Sequence, residues 1–118
     1  MRVAEERLAD GVLCVTVEGR LDAVTVPGFE QNLQRRLAEG QYRIIVDLGA
    51  VNYISSSGLR ALLTIRRQAR SRGGEVLLCR LHPRVHEILE MVGFLSVFSV
   101  YATCQEAASA FPPLSQAA

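Results

Sequence analysis

The chain has 118 residues, of which 49% are hydrophobic and 21% charged, a length and composition typical of one globular domain with its own core. Its formal net charge is only +1, whereas non-specific nucleic-acid binding depends on a large excess of positive charge. No run of 18 apolar residues occurs, and the start MRVAEERLADG has acids where a secretory signal has its apolar segment. We therefore expect a soluble, cytoplasmic protein with no nucleic-acid partner and no membrane insertion.

The N-terminal part of the chain predicts an antiparallel hairpin near the edge of a sheet. Asp10-Gly11 is a pair typical of tight hairpin turns, and it lies between the extended runs RVAEER and VLCVTVEGR. In the second run Leu13, Val15 and Val17 alternate with other residues, as in a strand with one buried face.

A helix over about residues 25–39 is predicted next, because the hydrophobic spacing changes to three and four residues. Thr25 is the expected cap, Pro27 lies in the first turn, and Gly40 ends the helix. The residues expected to face the core are Val26, Phe29, Leu33 and Leu37.

Further strands and helices then alternate. The runs RIIVDL and EVLLCRL are typical of strands covered on both faces, and SVFSVY predicts a last short strand. A second helix is predicted over about residues 56–72, ending at Gly73-Gly74, and a fourth helix follows the capping box TCQE. A third helix runs from Pro83 to Gly93, with an expected inward face of Val85, Ile88, Leu89 and Val92.

The order of elements predicts a single α/β domain over residues 1–112. Its mixed β-sheet combines the N-terminal antiparallel hairpin with parallel β-α units, and about four helices pack on it. Residues 113–118 are expected to form a disordered tail.

Three consecutive serines stand between a predicted buried strand and the second helix. Ser55 is the expected N-cap, Ser56 is expected to face water, and Ser57 to point to a flank. A helical wheel places four residues inward, namely Ala61, Leu62, Ile65 and Ala69, and six outward, namely Ser56, Leu59, Arg60, Leu63, Arg67 and Arg70. This outward face is typical of a docking surface; alternatively, Leu59 and Leu63 lie beneath a neighbouring loop.

The residues that carry catalysis or bind metals elsewhere do not form a recognisable set. G-x-S-x-G and the glycine-rich phosphate-binding motifs are missing, and His82 and His86 have no third metal ligand at a suitable spacing. The wide spacing of Cys14, Cys79 and Cys104 suggests neither a disulfide framework nor a zinc site. Cys14 and Cys79 lie in strand-like runs and are expected to be buried apolar residues. We expect no cofactor, no metal and no enzymatic activity.

A modified serine fits the pattern better than a catalytic one. A phosphate adds about −1.5 to −2 charge, which a helix N-terminus tolerates. A partner packed on the outward face would have to accept this hydrated dianion, and crowding it without a matched cation costs several kcal/mol. The serine loop is therefore a candidate binding switch.

Three segments resemble, in order and spacing, the STAS domain of bacterial anti-sigma factor antagonists: GRLDAVT, RIIVDLGAVNYISSSGLRALL and GGEVLLCRLHPRVHEILEMVGF. The resemblance extends from about Val3 to Phe111. It implies that the unphosphorylated protein binds an anti-sigma factor that is also a serine kinase, so that a sigma factor is freed. Phosphorylation of the first serine of the D-S-[ST]-G motif ends binding, and a PP2C-type phosphatase restores it.

Carried over by position, the resemblance assigns the phosphoacceptor to Ser56 and the following hydroxyl to Ser57, with Gly58 as the motif glycine. Asp22 matches a family aspartate at the same partner-binding edge, although an ordinary turn residue is an equal alternative. Ser55 stands where many members have aspartate, which removes a charge and leaves Ser55, like Ser57, as a rival acceptor. The expected partner-binding set is Asp22, Ser55, Ser56, Ser57, Gly58, Leu59, Arg60, Leu63 and Arg67.

Two other functions remain open from the sequence. In the first, the chain is an accessory STAS subunit of a transporter or stress-sensing complex and is not regulated by this phosphorylation. In the second, it is a small α/β enzyme or nucleotide-binding domain that uses the serine loop, for which the base and phosphate motifs are missing.

Overall fold

The computed structural model describes residues 1–113 and shows a five-stranded sheet with four α-helices. The strands are β1 (Arg2–Arg7), β2 (Val12–Leu21), β3 (Arg43–Ile54), β4 (Glu75–Cys79) and β5 (Val100–Tyr101). The helices are α1 (Val26–Ala38), α2 (Ser56–Ser71), α3 (Pro83–Met91) and α4 (Cys104–Ala110). Short 3-10 turns lie at Ala9–Gly11 and Phe94–Ser96.

The strand order is β1-β2-β3-β4-β5, with β1 antiparallel to β2 and every later neighbour parallel. The predicted α/β class and mixed sheet are therefore confirmed. The hairpin turn lies where expected, with Asp10 and Gly11 both at positive φ, 59° and 70°, and the Leu8 N–H donating to the Val12 carbonyl at 2.7 Å. Aspartate and glycine are among the residues that adopt this conformation at least cost.

Most of the core lies between one face of the sheet and the first three helices. These helices place buried residues on one stripe each, as the three-and-four spacing predicts; the stripes include Phe29, Leu33, Ala61, Leu62, Ile65, Val85 and Leu89. The short helix α4 covers part of the opposite face, where a second cluster contains Val12, Cys14, Ile45, Leu77, Cys79 and Ala107. Strand β2 is thus buried on both faces over Val12 to Val15.

The structure corrects several local predictions. Val92 lies just past the end of α3 and is 50% exposed, because α3 ends at Met91, one residue before the fourth apolar position. The predicted last strand is shortened to Val100–Tyr101, since Phe94–Ser96 forms a 3-10 turn and the Val97 and Phe98 N–H groups also donate to the Phe94 carbonyl. Thr25 makes no side-chain cap to α1, because its hydroxyl donates to the Arg20 carbonyl at 2.6 Å.

Strands β2 and β3 continue well beyond the other strands, and this extension positions the serine loop. Register shifts at Thr16/Glu18 and Gly19/Arg20 keep the two strands paired as far as Leu21 and Ile54, whereas β3 and β4 are paired only as far as Asp47 and Cys79. The chain leaves both long strands at the same edge of the sheet. The loop after β2 and the start of α2 are therefore neighbours.

Within residues 1–113, no helix is both long and apolar enough to cross a membrane. The predicted tail of residues 113–118 lies, after Pro113, outside the described residues.

The start of α2 packs so closely on the ends of β2 and β3 that a side chain at position 58 would force its neighbours to shift. A Cβ added to Gly58 would lie 2.8 Å from Ile54 Cγ1 and 3.1 Å from the Leu21 carbonyl oxygen. These contacts are tighter than van der Waals packing permits, and the oxygen belongs to the backbone of a paired strand. Gly58 therefore sets how closely the two loops approach.

We predict that Gly58→Ala destabilises the protein by about 1–3 kcal/mol, the usual cost of overpacking. The matched control is Gly28→Ala in α1, where an added Cβ meets nothing within 4 Å and the better helix propensity of alanine stabilises by up to about 1 kcal/mol. Urea unfolding of both variants measures the difference. Equal gains in stability for the two variants would contradict the close packing at Gly58.

Candidate functional site

The end of β2 and the start of α2 are joined by a backbone hydrogen bond. The Ser55 N–H donates to the Leu21 carbonyl at 2.8 Å. Together with the close approach at Gly58, this bond places the turn of Asp22 next to the three serines. Asp22, which the resemblance assigns to the partner-binding edge, therefore lies next to the serine loop.

The three serine hydroxyls have different surroundings. Ser55 Oγ accepts a hydrogen bond from the Gly58 N–H at 3.3 Å and shares a second one with Ser57 Oγ at 2.8 Å. Ser55 is thus the N-cap of α2, as predicted, and both Ser55 and Ser57 are half-buried. Ser56 is exposed, and among residues 1–113 its hydroxyl has no hydrogen-bond partner.

Asp22 closes the turn that follows β2. Its Oδ1 accepts hydrogen bonds from the Val24 N–H at 3.1 Å and the Thr25 N–H at 3.2 Å. The hydrogen bond from Thr25, helped by that from Val24 and by the guanidinium of Arg20 at 3.5 Å, lowers the pKa of Asp22 below its usual 3.8. The carboxylate therefore has a structural role in the turn whether or not it also contacts a partner.

An exposed rim that the sequence did not predict surrounds this turn. Val24 is 86% exposed, although it is apolar and lies two residues from Asp22. The Arg20 guanidinium stacks on the Tyr53 ring, 4.4 Å from its centroid, because these residues are paired across β2 and β3. The contact between Arg20 and Tyr53 depends on the register of the two long strands, which the spacing of residues in the sequence does not show.

The exposed face of α2 is narrower than the helical wheel predicted. Arg60, Arg67 and Arg70 are exposed with Ser56, as expected. Leu63 is partly buried against the core. Leu59 is only 8% exposed and belongs to the main core, so the prediction that it faces outward was wrong. Leu59 is thus covered, although by the main core rather than by a neighbouring loop, whereas Leu63 remains partly accessible.

Neighbouring elements contact α2 on both sides of this face. On one side Gln68 accepts a hydrogen bond from Gln34 of α1 at 2.6 Å. On the other side Arg66 lies over the Phe98 ring at 5.6 Å. We use the name α2 strip for four residues of this face that are at least partly accessible: Ser56, Arg60, Leu63 and Arg67.

In the described residues, neither histidine side chain forms a hydrogen bond with a serine of the loop. His82 is the N-cap of α3, and its Nδ1 accepts from the Arg84 N–H at 3.1 Å; His86 is exposed on the same helix. In the part of the chain that the structure describes, no group of three or more His, Cys, Asp or Glu side chains is arranged to hold a metal ion. The exposed hydroxyl of Ser56 therefore has no general base bonded to it in residues 1–113.

The lowered pKa of Asp22 predicts an acid-dependent contribution to stability. Because the pKa is lower in the folded chain, the carboxylate stabilises the fold above the usual value of 3.8, and this stabilisation is lost as the pH falls through the folded pKa. Asp22→Asn keeps a side-chain acceptor but does not titrate. We expect the wild-type protein to lose more stability than Asp22→Asn between about pH 6 and pH 2, measured by urea unfolding; parallel losses would contradict this role.

Comparison with known proteins places the chain in a family. A family model for the STAS domain matches residues 4–107. BtrV of Bordetella bronchiseptica, named as a candidate anti-sigma factor antagonist, is 39% identical over 102 residues, which cover 86% of this chain and 88% of BtrV. A crystal structure of an anti-sigma factor antagonist from Mycobacterium paratuberculosis is 28% identical, with a TM-score of 0.82 and 92% of each chain covered.

The same fold occurs in the Bacillus cell fate determinant SpoIIAA, solved in its phosphorylated form. That structure covers 92% of this chain and 97% of SpoIIAA, with a TM-score of 0.73 at 20% identity. The match over residues 4–107, the identity with BtrV and the shared fold agree with the resemblance noted from the sequence. The chain belongs to the STAS domain family.

Proposed function

We propose that the protein is an anti-sigma factor antagonist, a non-enzymatic switch controlled by phosphorylation of Ser56. In its unphosphorylated form it binds an anti-sigma factor that is also a serine kinase, and so frees a sigma factor. The observation that carries the proposal is the position of Ser56, an exposed hydroxyl on the α2 strip next to the Asp22 turn. The names of BtrV and of the mycobacterial protein support the antagonist function.

The neighbouring hydroxyls support Ser56 over its rivals as the acceptor. Ser55 Oγ caps α2 and bonds to Ser57 Oγ, so a phosphate on Ser55 would remove the cap, and one on Ser57 would break the bond between the two hydroxyls. Ser56 makes neither contact. Its modification leaves the hydrogen bonds at the start of the helix in place.

The first turn of α2 suits a phosphate at Ser56. This turn contains no acidic residue, and the free amides and dipole at the start of a helix favour negative charge. Arg60 is exposed one turn later, within the spacing at which helical side chains interact. The fold should therefore remain intact when Ser56 is phosphorylated, so that the modification acts on partner binding.

The same surface explains how a phosphate would release the partner. The α2 strip and the Asp22 turn together offer a small apolar contact, from Leu63 and Val24, among charged groups. A partner fitted closely to this surface would have to accommodate a dianion, and each 1.4 kcal/mol of that cost weakens binding about tenfold. A PP2C-type phosphatase would restore binding by removing the phosphate.

The replacement of the family aspartate by Ser55 is compatible with the switch. Aspartate and serine are both favoured N-caps, and Ser55 performs this function here at 3.3 Å from the Gly58 N–H. The structure of the loop thus keeps its cap. Only the negative charge before the acceptor is lost, which concerns recognition by the kinase.

Phosphate mapping tests this assignment. Incubated with its cognate kinase and ATP, the wild-type protein should carry one phosphate, at Ser56, and Ser56→Ala should carry none, as read by mass spectrometry of proteolytic peptides. Ser57→Ala is the matched control and should be phosphorylated normally. Phosphate on Ser55 or Ser57 of the wild-type protein, with Ser56 unmodified, would contradict the assignment.

The stability of alanine variants distinguishes Ser55, which caps α2, from Ser56, the proposed site of phosphorylation. We expect Ser55→Ala to lower the free energy of unfolding by about 1 kcal/mol, whereas Ser56→Ala leaves it within about 0.5 kcal/mol of the wild-type value, as for other exposed positions. Thermal or urea unfolding measures both. A larger loss for Ser56→Ala than for Ser55→Ala would show that the two roles are reversed.

A charge substitution separates the switch from an accessory STAS subunit of a transporter or stress-sensing complex. If binding is controlled at this site, Ser56→Asp weakens the complex with the anti-sigma factor, while Ser56→Ala preserves it. Nearly equal affinity of the Ser56→Asp and wild-type proteins for their partner, measured by calorimetry, would favour the accessory subunit.

A further inference from the structure

The cysteines, which are far apart in sequence, converge on the face of the sheet that α4 covers. Cys104 is the first residue of α4, and its Sγ lies 2.9 Å from Sγ of Cys14, near the start of β2. Cys79 of β4 belongs to the same buried cluster. The spacing of the cysteines suggested no pairing, yet the fold brings two of them into contact across 90 positions of the chain.

The two thiols are close enough to form a disulfide after small side-chain movements, and they differ in their exposure to solvent. Cys14 is 4% exposed, while Cys104 is partly exposed at the end of its helix. A disulfide requires about 2.0 Å between its sulfur atoms, so only small side-chain movements separate the observed contact from a bond. All the cysteines are free thiols in this structure.

We propose that Cys14 and Cys104 are an oxidation site, at which a two-electron oxidant of the peroxide class forms a disulfide that attaches α4 to β2. The Cys104 thiol releases its proton, and the thiolate attacks one peroxide oxygen, so that an S–O bond forms, the O–O bond breaks and the departing hydroxide combines with a proton to form water. Cys14 then attacks the Cys104 sulfur, the S–S bond forms, the S–O bond breaks, and the departing hydroxide takes the Cys14 proton. For hydrogen peroxide, two thiols become one disulfide and two waters are produced.

Burial determines the order of these steps. The apolar surroundings of Cys14 raise the pKa of its thiol, helped by its contact with Cys104, and burial raises the pKa of Cys79 to about 12. Both groups therefore stay protonated and react slowly as first nucleophiles, since the thiolate is the reactive form. Cys104, with its partial exposure, is the thiol that meets the oxidant, and Cys14 is the resolving thiol.

A disulfide between Cys14 and Cys104 would restrain α4, the shortest of the four α-helices in the described residues. It has seven residues, and its buried contact with the sheet centres on Ala107 together with the partly buried Phe111. Covalent attachment through its first residue would limit the opening of this helix from the sheet. Because the site belongs to the face opposite α2, the proposal is independent of Ser56.

Peroxide treatment of the folded, fully reduced protein tests the proposal. We expect the intact mass to fall by two hydrogens, and a non-reducing peptide map to link the Cys14 and Cys104 peptides, with reversal by dithiothreitol. Cys79→Ala is the matched control and should form the same link, while Cys104→Ala should form none. In the oxidised protein the amides of α4 should exchange with solvent at least about tenfold more slowly than in the reduced protein.

Three results would overturn the proposal. The first is a link between Cys104 and Cys79, with Cys14 free. The second is a disulfide that forms only after urea is added, which would show that Cys14 and Cys104 are not within bonding reach in the folded chain. The third is addition of oxygen to Cys104 of the wild-type protein with no disulfide formed. This result can be interpreted without any variant.

Discussion

The hydrogen bond from the Ser55 N–H to the Leu21 carbonyl, 2.8 Å long, is the contact on which the candidate site depends. It joins the exit of β2 to the entrance of α2, and the absence of a side chain at Gly58 lets the two segments approach closely enough to form it. Without this contact the Asp22 turn and Ser56 would belong to two separate loops. With it they form one surface carried by the two longest strands of the sheet.

The serine triplet divides two tasks that a single residue would combine poorly. Ser55 holds the helix start, and its hydroxyl bonds inward to Gly58 and Ser57. Ser56 is left exposed and without such a bond within residues 1–113. A modification can therefore change the charge of the surface without disturbing the cap. This is the property that a reversible switch in a STAS domain needs, because the same folded chain must serve before and after phosphorylation.

Local patterns predicted most of this fold, since hydrophobic spacing, glycine and proline positions, and the Asp10-Gly11 turn act over a few residues. They also predicted the cap at Ser55 and the exposure of Ser56. The failures are non-local. Leu59 is buried because the start of α2 packs into the main core, and the stacking of Arg20 on Tyr53 follows from strand register. Likewise the contact of Cys14 with Cys104 depends on where α4 packs, which no spacing in the sequence reveals.

The central claim is that one phosphate at Ser56 decides whether the partner binds. The most direct measurement compares the affinity of the anti-sigma factor for a single preparation in two states, enzymatically phosphorylated and then treated with phosphatase. We predict a loss of affinity of at least about tenfold in the phosphorylated state, equivalent to 1.4 kcal/mol or more, and full recovery after the phosphate is removed. Equal affinities in the two states, with Ser56 shown to be phosphorylated, would contradict the account.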